Sequence, residues 1–219
     1  AKDIDLMGAT CAIKEAQSEI TIKSEGVKPV VIKNVTSNVL MDSDAIHNAS
    51  GIKADYYSGG IVAKIRGGNV KIQNVVFENI HVKTPTAGQV GIVIGVFEGG
   101  SVVMDNVTVK NSSVIGHRDV GALIGGIQSA AGTLTLKNNI TFDNVKVKTT
   151  GGRSGLVVGK LSVSGSSINF GSGADLAINN YSAMSIYNDK NLEQKFAAGE
   201  TVPTEWNVSN TVNIVGQDQ

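Results

Sequence analysis

A short glycine-led apolar strand recurs four times at a near-constant interval, and this recurrence narrows the possible folds more than any other feature. The copies read GGIVAKI at 59–65, VGIVIGV at 90–96, VGALIGGI at 120–127 and SGLVVGKL at 154–161. Taking Gly60, Gly91, Gly121 and Gly155 as their leading residues, the spacings are 31, 30 and 34. A unit of this size cannot bury an apolar face alone, so copies at a fixed period imply stacking along one axis. Gly95, Gly125 and Gly159 follow four residues after three of the leading glycines, where the chain leaves the strand.

Between these strands lies a second pattern. VKIQNVVFENIHV (70–82), VVMDNVTVKNSSV (102–114) and LTLKNNITFDNVKV (134–147) alternate apolar and polar residues, the period of a half-buried strand. Asparagines interrupt each block at two places: Asn74 and Asn79, Asn106 and Asn111, Asn139 and Asn144. VVIKNVTSNVLM (30–41) is a weaker copy with Asn34 and Asn38. Asparagine tolerates positive φ better than most non-glycine residues, so these are corners. Stacking predicts inward columns Val75–Val107–Ile140, Phe77–Val109–Phe142 and Val82–Val114–Val147. Glu78, Lys110 and Asp143 share an outward column.

Composition agrees. Gly is frequent at 26 residues, Pro is rare at 3, and aromatics make up 5%. Such a mixture favours strands joined by tight corners. The chain has 19 basic and 19 acidic residues, and a net charge of zero argues against a nucleic-acid partner. A lone cysteine, Cys11, excludes an internal disulfide framework and reads as a small buried hydrophobe. No apolar run is long enough for a membrane span. The chain starts AKDID without a signal peptide, as expected of a processed protein or a fragment of a larger one.

The units GIVIG (91–95), GALIG (121–125) and GLVVG (155–159) resemble the GLUG-type repeats of bacterial surface proteins, often large secreted proteins of gut bacteria. NVTVKNSSV is similar to the bodies of those repeats. The resemblance covers residues 58–165, about half the chain, and the first copy departs from it at Lys64. It implies a right-handed solenoid in an extracellular or cell-surface setting and no particular ligand. The expected fold is therefore all-β: a single-stranded right-handed parallel β-helix, about five or six coils of ~30 residues, with a short C-terminal helix or cap. The whole of 1–219 is expected to be one domain, with an N-terminal cap over 1–20, coils over 20–187 and a C-terminal cap over 188–219. Within these, Thr10 to Gln17 is expected as a short helix, LAINNYSAMSIY (176–187) as one more coil, and DKNLEQKFAA (189–198) as a helix closed by Gly199.

Candidate chemistry is sparse. Polysaccharide lyases and glycoside hydrolases on β-helices need clustered carboxylates. The column Glu78, Lys110, Asp143 is ordinary solvated charge, and Asp42 and Asp44 in a DSD loop are a weak calcium motif. His47, His81 and His117 occupy non-equivalent positions, which argues against a metal site. No Gly-x-Ser-x-Gly elbow occurs. No catalytic residue, metal or cofactor is assigned. The most suggestive surface is the loop entering each Gly-led strand: Tyr56 and Tyr57, then Gln89, then His117, Arg118 and Asp119, then Arg153. Aromatic faces with Arg and acid side chains suit a sugar or an acidic glycan. The expected function is a non-catalytic cell-surface or secreted interaction module, an adhesion segment binding a glycan or a host or bacterial surface protein. A carbohydrate-active β-helix enzyme and a structural spacer are the alternatives.

Overall fold

The computed structural model describes residues 12–13, 19–24, 26–34, 36–37, 57–84, 88–161, 166–170, 175–183, 185–188, 194–195 and 212–217. Two parallel sheets face one another and the chain winds between them as a β-solenoid. One sheet holds the long strands Asn69–Glu78, Gly100–Gly116 and Gly132–Thr149. The other holds the Gly-led strands, each split in two: Tyr57–Gly59 and Val62–Arg66, Gln89–Gly91 and Ile94–Glu98, Asp119–Gly121 and Ile124–Ile127. In the next coil Arg153–Leu161 runs unbroken through both positions.

About three turns result, where five or six were expected. LAINNYSAMSIY accounts for part of the difference. Asp175–Ser182 continues the same coil as Arg153–Leu161, stacking on Asn139–Lys146, and does not begin a coil of its own.

The expected columns form. Val107 pairs with Val75 and Ile140, Val109 with Phe77 and Phe142, and Val114 with Val82 and Val147. Ile32 and Ile178 extend the middle column at its two ends. All of these side chains lie in one continuous apolar core, and Phe77, Phe97 and Phe142 are completely buried. Full burial of one such side chain stabilises by about 1.5–3 kcal/mol, so the columns dominate the fold energetically.

Both terminal helices are corrected among the described residues. Ala12–Ile13 is a strand, parallel to Lys64–Ile65, where a helix from Thr10 to Gln17 was expected. Gln194–Lys195 is a strand, antiparallel to Tyr187–Asn188, where a helix over 189–198 was expected. The cause is common to both ends. An isolated helix of two or three turns is marginal, whereas the last strand of a stack offers unpaired backbone groups. Val212–Gln217 uses the same opportunity, pairing parallel with Leu176 to Tyr181. Asn38, Asp42, Asp44, His47, Cys11 and Tyr56 lie outside the described residues.

The corners are asparagines at positive φ, from 49° to 60°, at Asn34, Asn74, Asn79, Asn106, Asn111, Asn138 and Asn144. Their side chains bridge neighbouring coils. Asn106 Nδ2 donates to Asn74 Oδ1 at 2.9 Å, Asn79 Nδ2 to Asn34 Oδ1 at 2.8 Å, and Asn144 Nδ2 to Asn111 Oδ1 at 3.0 Å. Asn138 takes the corner assigned above to Asn139. The register shifts between Asp105 and Val107, so the third block absorbs its extra residue as a bulge there.

Candidate functional site

Coil stacking puts the residues entering each Gly-led strand into one row. Tyr57 pairs with Gln89, Gln89 with Asp119, and Asp119 with Arg153. The sequence places them there because Gly59, Gly91, Gly121 and Gly155 are in register two residues later. The first copy of the motif is thereby shifted by one: Gly59, not Gly60, is its leading glycine. Ala63, not Lys64, then occupies the position of the second glycine, since Val62 pairs with Ile94 and Lys64 with Val96.

Within the row the side chains bind one another. Arg153 Nε and Nη2 both donate to Asp119 Oδ1, at 3.0 and 2.6 Å. Gln89 Nε2 donates to Asp119 Oδ2 at 2.8 Å. Asp119 and Gln89 are each 1% exposed. The second arm of the neighbouring Gly-led strand covers them: a Cβ at Gly126 would stand 3.1 Å from Gln89 Cγ. Gln89 Oε1 and Ser58 Oγ are buried without a hydrogen-bond partner. The charged pair is therefore an internal link between coils, with its carboxylate shielded and its guanidinium half-buried.

The outer part of this edge is made by His117 and Arg118, both exposed, and by the exposed side of Arg153. A Thr-Thr-Gly-Gly turn in the next coil supports them. Thr149 Oγ1 donates to the His117 carbonyl at 2.6 Å and accepts from the Gly152 amide at 2.9 Å. His117 Nδ1 lies 3.0 Å from Thr150 Oγ1. Arg153 N donates to the Arg118 carbonyl, so the two arginines lie on adjacent coils, one residue out of register. Tyr57 contributes its strand position to the row.

Sequence reasoning missed Lys160, which comes one residue after Gly159 and pairs with Gly126 beside the same row. Burial pushes its ammonium group below the usual lysine range. The Asp119 carboxylate opposes that shift, while the Arg153 and Arg118 guanidinium groups add to it. Its signal was available only after registering the second glycines against each other.

Other carboxylates show the same inter-coil habit. Glu98 meets Lys64 Nζ at 2.8 Å and Arg66 Nε at 3.3 Å. Glu78 meets Lys110 Nζ at 3.1 Å. Asp105 accepts from Gln73 Nε2 at 3.2 Å and from Asn138 Nδ2. Among the described residues no group of three His, Cys, Asp or Glu side chains is placed to hold a metal ion, and no helix is long and apolar enough to cross a membrane.

These features define the class of the molecule: a parallel β-solenoid whose charged side chains tie adjacent coils together. Compared with known families, curated proteins and solved structures, the chain matches none.

Proposed function

We propose that this chain is a non-catalytic interaction module of a secreted or cell-surface protein, with a glycan as its ligand class. One observation carries the reading. Glu78, Glu98, Asp105 and Asp119 are each engaged by a side chain from a neighbouring coil, which makes them cross-links of the scaffold. A lyase or hydrolase on such a scaffold needs carboxylates converging on a substrate groove. The resemblance of GIVIG, GALIG and GLVVG to GLUG-type repeats supports the surface setting. The ligand surface in this reading is the coil-entry edge, with His117, Arg118 and the exposed side of Arg153 as its contact residues.

The test is a panel of immobilised plant, bacterial and host polysaccharides probed with the full chain. Retention without release of new reducing ends or unsaturated uronates is expected. His117→Ala combined with Arg118→Ala, both exposed, should weaken retention at least tenfold while leaving the far-UV circular dichroism unchanged. Steady appearance of shortened products from any polysaccharide would replace the module with an enzyme.

A further inference from the structure

The zero net charge conceals a strong segregation. Residues 57–161 hold 11 of the 19 Lys and Arg but only 5 of the 19 Asp and Glu, a surplus of six positive charges. The flanks, 1–56 and 162–219, hold the remaining 8 basic and 14 acidic residues. All three arginines, Arg66, Arg118 and Arg153, belong to the central coils.

The surplus is concentrated on one facet. After the second asparagine corner each coil runs a short stretch before entering the next Gly-led strand: 79–84, 111–118 and 144–152. Together these stretches contain Lys83, Arg118, Lys146 and Lys148, with His81 and His117, and no Asp or Glu. Pairing sets them in a grid. His81 stands beside Ser113 and Ser113 beside Lys146, while Lys83 stands beside Ile115 and Ile115 beside Lys148. Val82, Val114 and Val147 between them point into the core, so the grid faces outward. Lys83, Lys146, Lys148 and Arg118 are exposed. The rows are ~4.8 Å apart along the axis, and Lys146 and Lys148 are about 7 Å apart along their strand.

Two described carboxylates nearby are committed to other partners. Asp119, which begins the next Gly-led strand, is buried and bound by Arg153 and Gln89. Across the corner, Glu78 is paired with Lys110, and Asp143 continues their column. A flat array of like charges on a rigid sheet costs self-repulsion and is relieved by a counter-charge of matching shape.

We infer that the facet of Lys83, Lys146, Lys148 and Arg118 binds a linear acidic polysaccharide, one bearing a carboxylate or sulfate on successive sugars. This deepens the glycan-binding reading above and rests on it. A single-stranded nucleic acid would meet the same charges, but the three stretches carry no Phe, Tyr or Trp on which bases could stack.

The experiment titrates the full chain with dextran sulfate, polygalacturonate, unmodified dextran and an oligothymidylate of comparable charge. Binding to the two acidic polysaccharides is expected, and dextran should not bind. For about four neutralised charges, affinity should fall by tens of fold between roughly 50 and 200 mM salt. Lys83→Glu with Lys148→Glu should abolish binding, and Lys137→Glu, exposed on the other side of the corner, should leave it intact. Binding of dextran as tightly as dextran sulfate, unaffected by the double reversal, would overturn this inference and leave the module reading standing. Depolymerisation of the polysaccharides would overturn the module reading itself. Tighter binding of the oligothymidylate, or a salt-sensitive dimer in place of any polysaccharide complex, would also overturn the inference.

Discussion

At Asn106 two contributions can be separated. Its backbone sits at φ 53°, and its amide donates to Asn74 Oδ1 at 2.9 Å. Alanine at that φ costs about 1–2 kcal/mol, because its Cβ crowds the carbonyl that follows. Glycine escapes this penalty but loses more chain entropy on folding, about 0.5–1 kcal/mol relative to alanine. Both substitutions lose the side-chain bond, worth about 1 kcal/mol. Asn106→Ala should therefore destabilise more than Asn106→Gly, although alanine is the better strand residue elsewhere. Urea midpoints of the two variants and the parent should rank Asn, Gly, Ala. An alanine variant as stable as the glycine variant would mean that the bridge, not the left-handed corner, selects asparagine. The columns were legible because apolar alternation and Asn spacing repeat together. The choice between Asn138 and Asn139 was not, since either can take positive φ. Only the register across the Asp105–Val107 bulge assigns the corner to Asn138.

Among the elements, the Gly-led arch makes the strictest demand on sequence. In GALIG the second glycine lies on the strand of the preceding coil. A Cβ at Gly125 would stand 2.5 Å from Gly95 O and Val90 N and 2.6 Å from Val90 O. All three are backbone atoms, so no rotamer change can relieve the contact. At Gly126, one residue on, a Cβ would meet Gln89 Cγ at 3.1 Å, a side chain able to yield. Gly125→Ala should cost about 3 kcal/mol or more and Gly126→Ala about 1 kcal/mol, within the range seen for overpacked cores. Denaturant midpoints for the pair provide the measurement, and equal costs would refute the close-approach account. Ala63 shows the rule from the other side. It holds the equivalent position in the coil that ends the row at Tyr57–Gly59, where no described strand lies beyond. The sequence displays this motif clearly but not its register. GGIVAKI offers two leading glycines, and only pairing with Gly91 selects Gly59. The row Tyr57, Gln89, Asp119, Arg153 was legible as a row. That Asp119 and Gln89 turn into it was hidden, because a strand folded back over its neighbour leaves no periodic trace.

For the whole molecule the stack is close to one-dimensional, and each coil contacts chiefly the coils on either side. Its stability should then change in whole-coil steps. Deleting residues 119–152 joins Arg118 to Arg153, two residues in successive equivalent coils. The coils on either side would meet in register: Gly91 against Gly155, Val102 against Ile168, Val107 against Leu176 and Val109 against Ile178. Arg153 would face Gln89, whose buried Oε1 lacks a donor in the parent. The shortened chain should keep a β-sheet spectrum and unfold cooperatively. Its denaturant slope should be smaller, in proportion to the surface one coil buries, and its midpoint lower. Removing only 119–131 takes away the Gly-led half of the same coil and leaves Gly132–Thr149 without its facing sheet, so that chain should not fold cooperatively. If the full-coil deletion behaves no better than the half-coil deletion, stability is not additive along the axis. The molecule would then depend on contacts that span more than neighbouring coils.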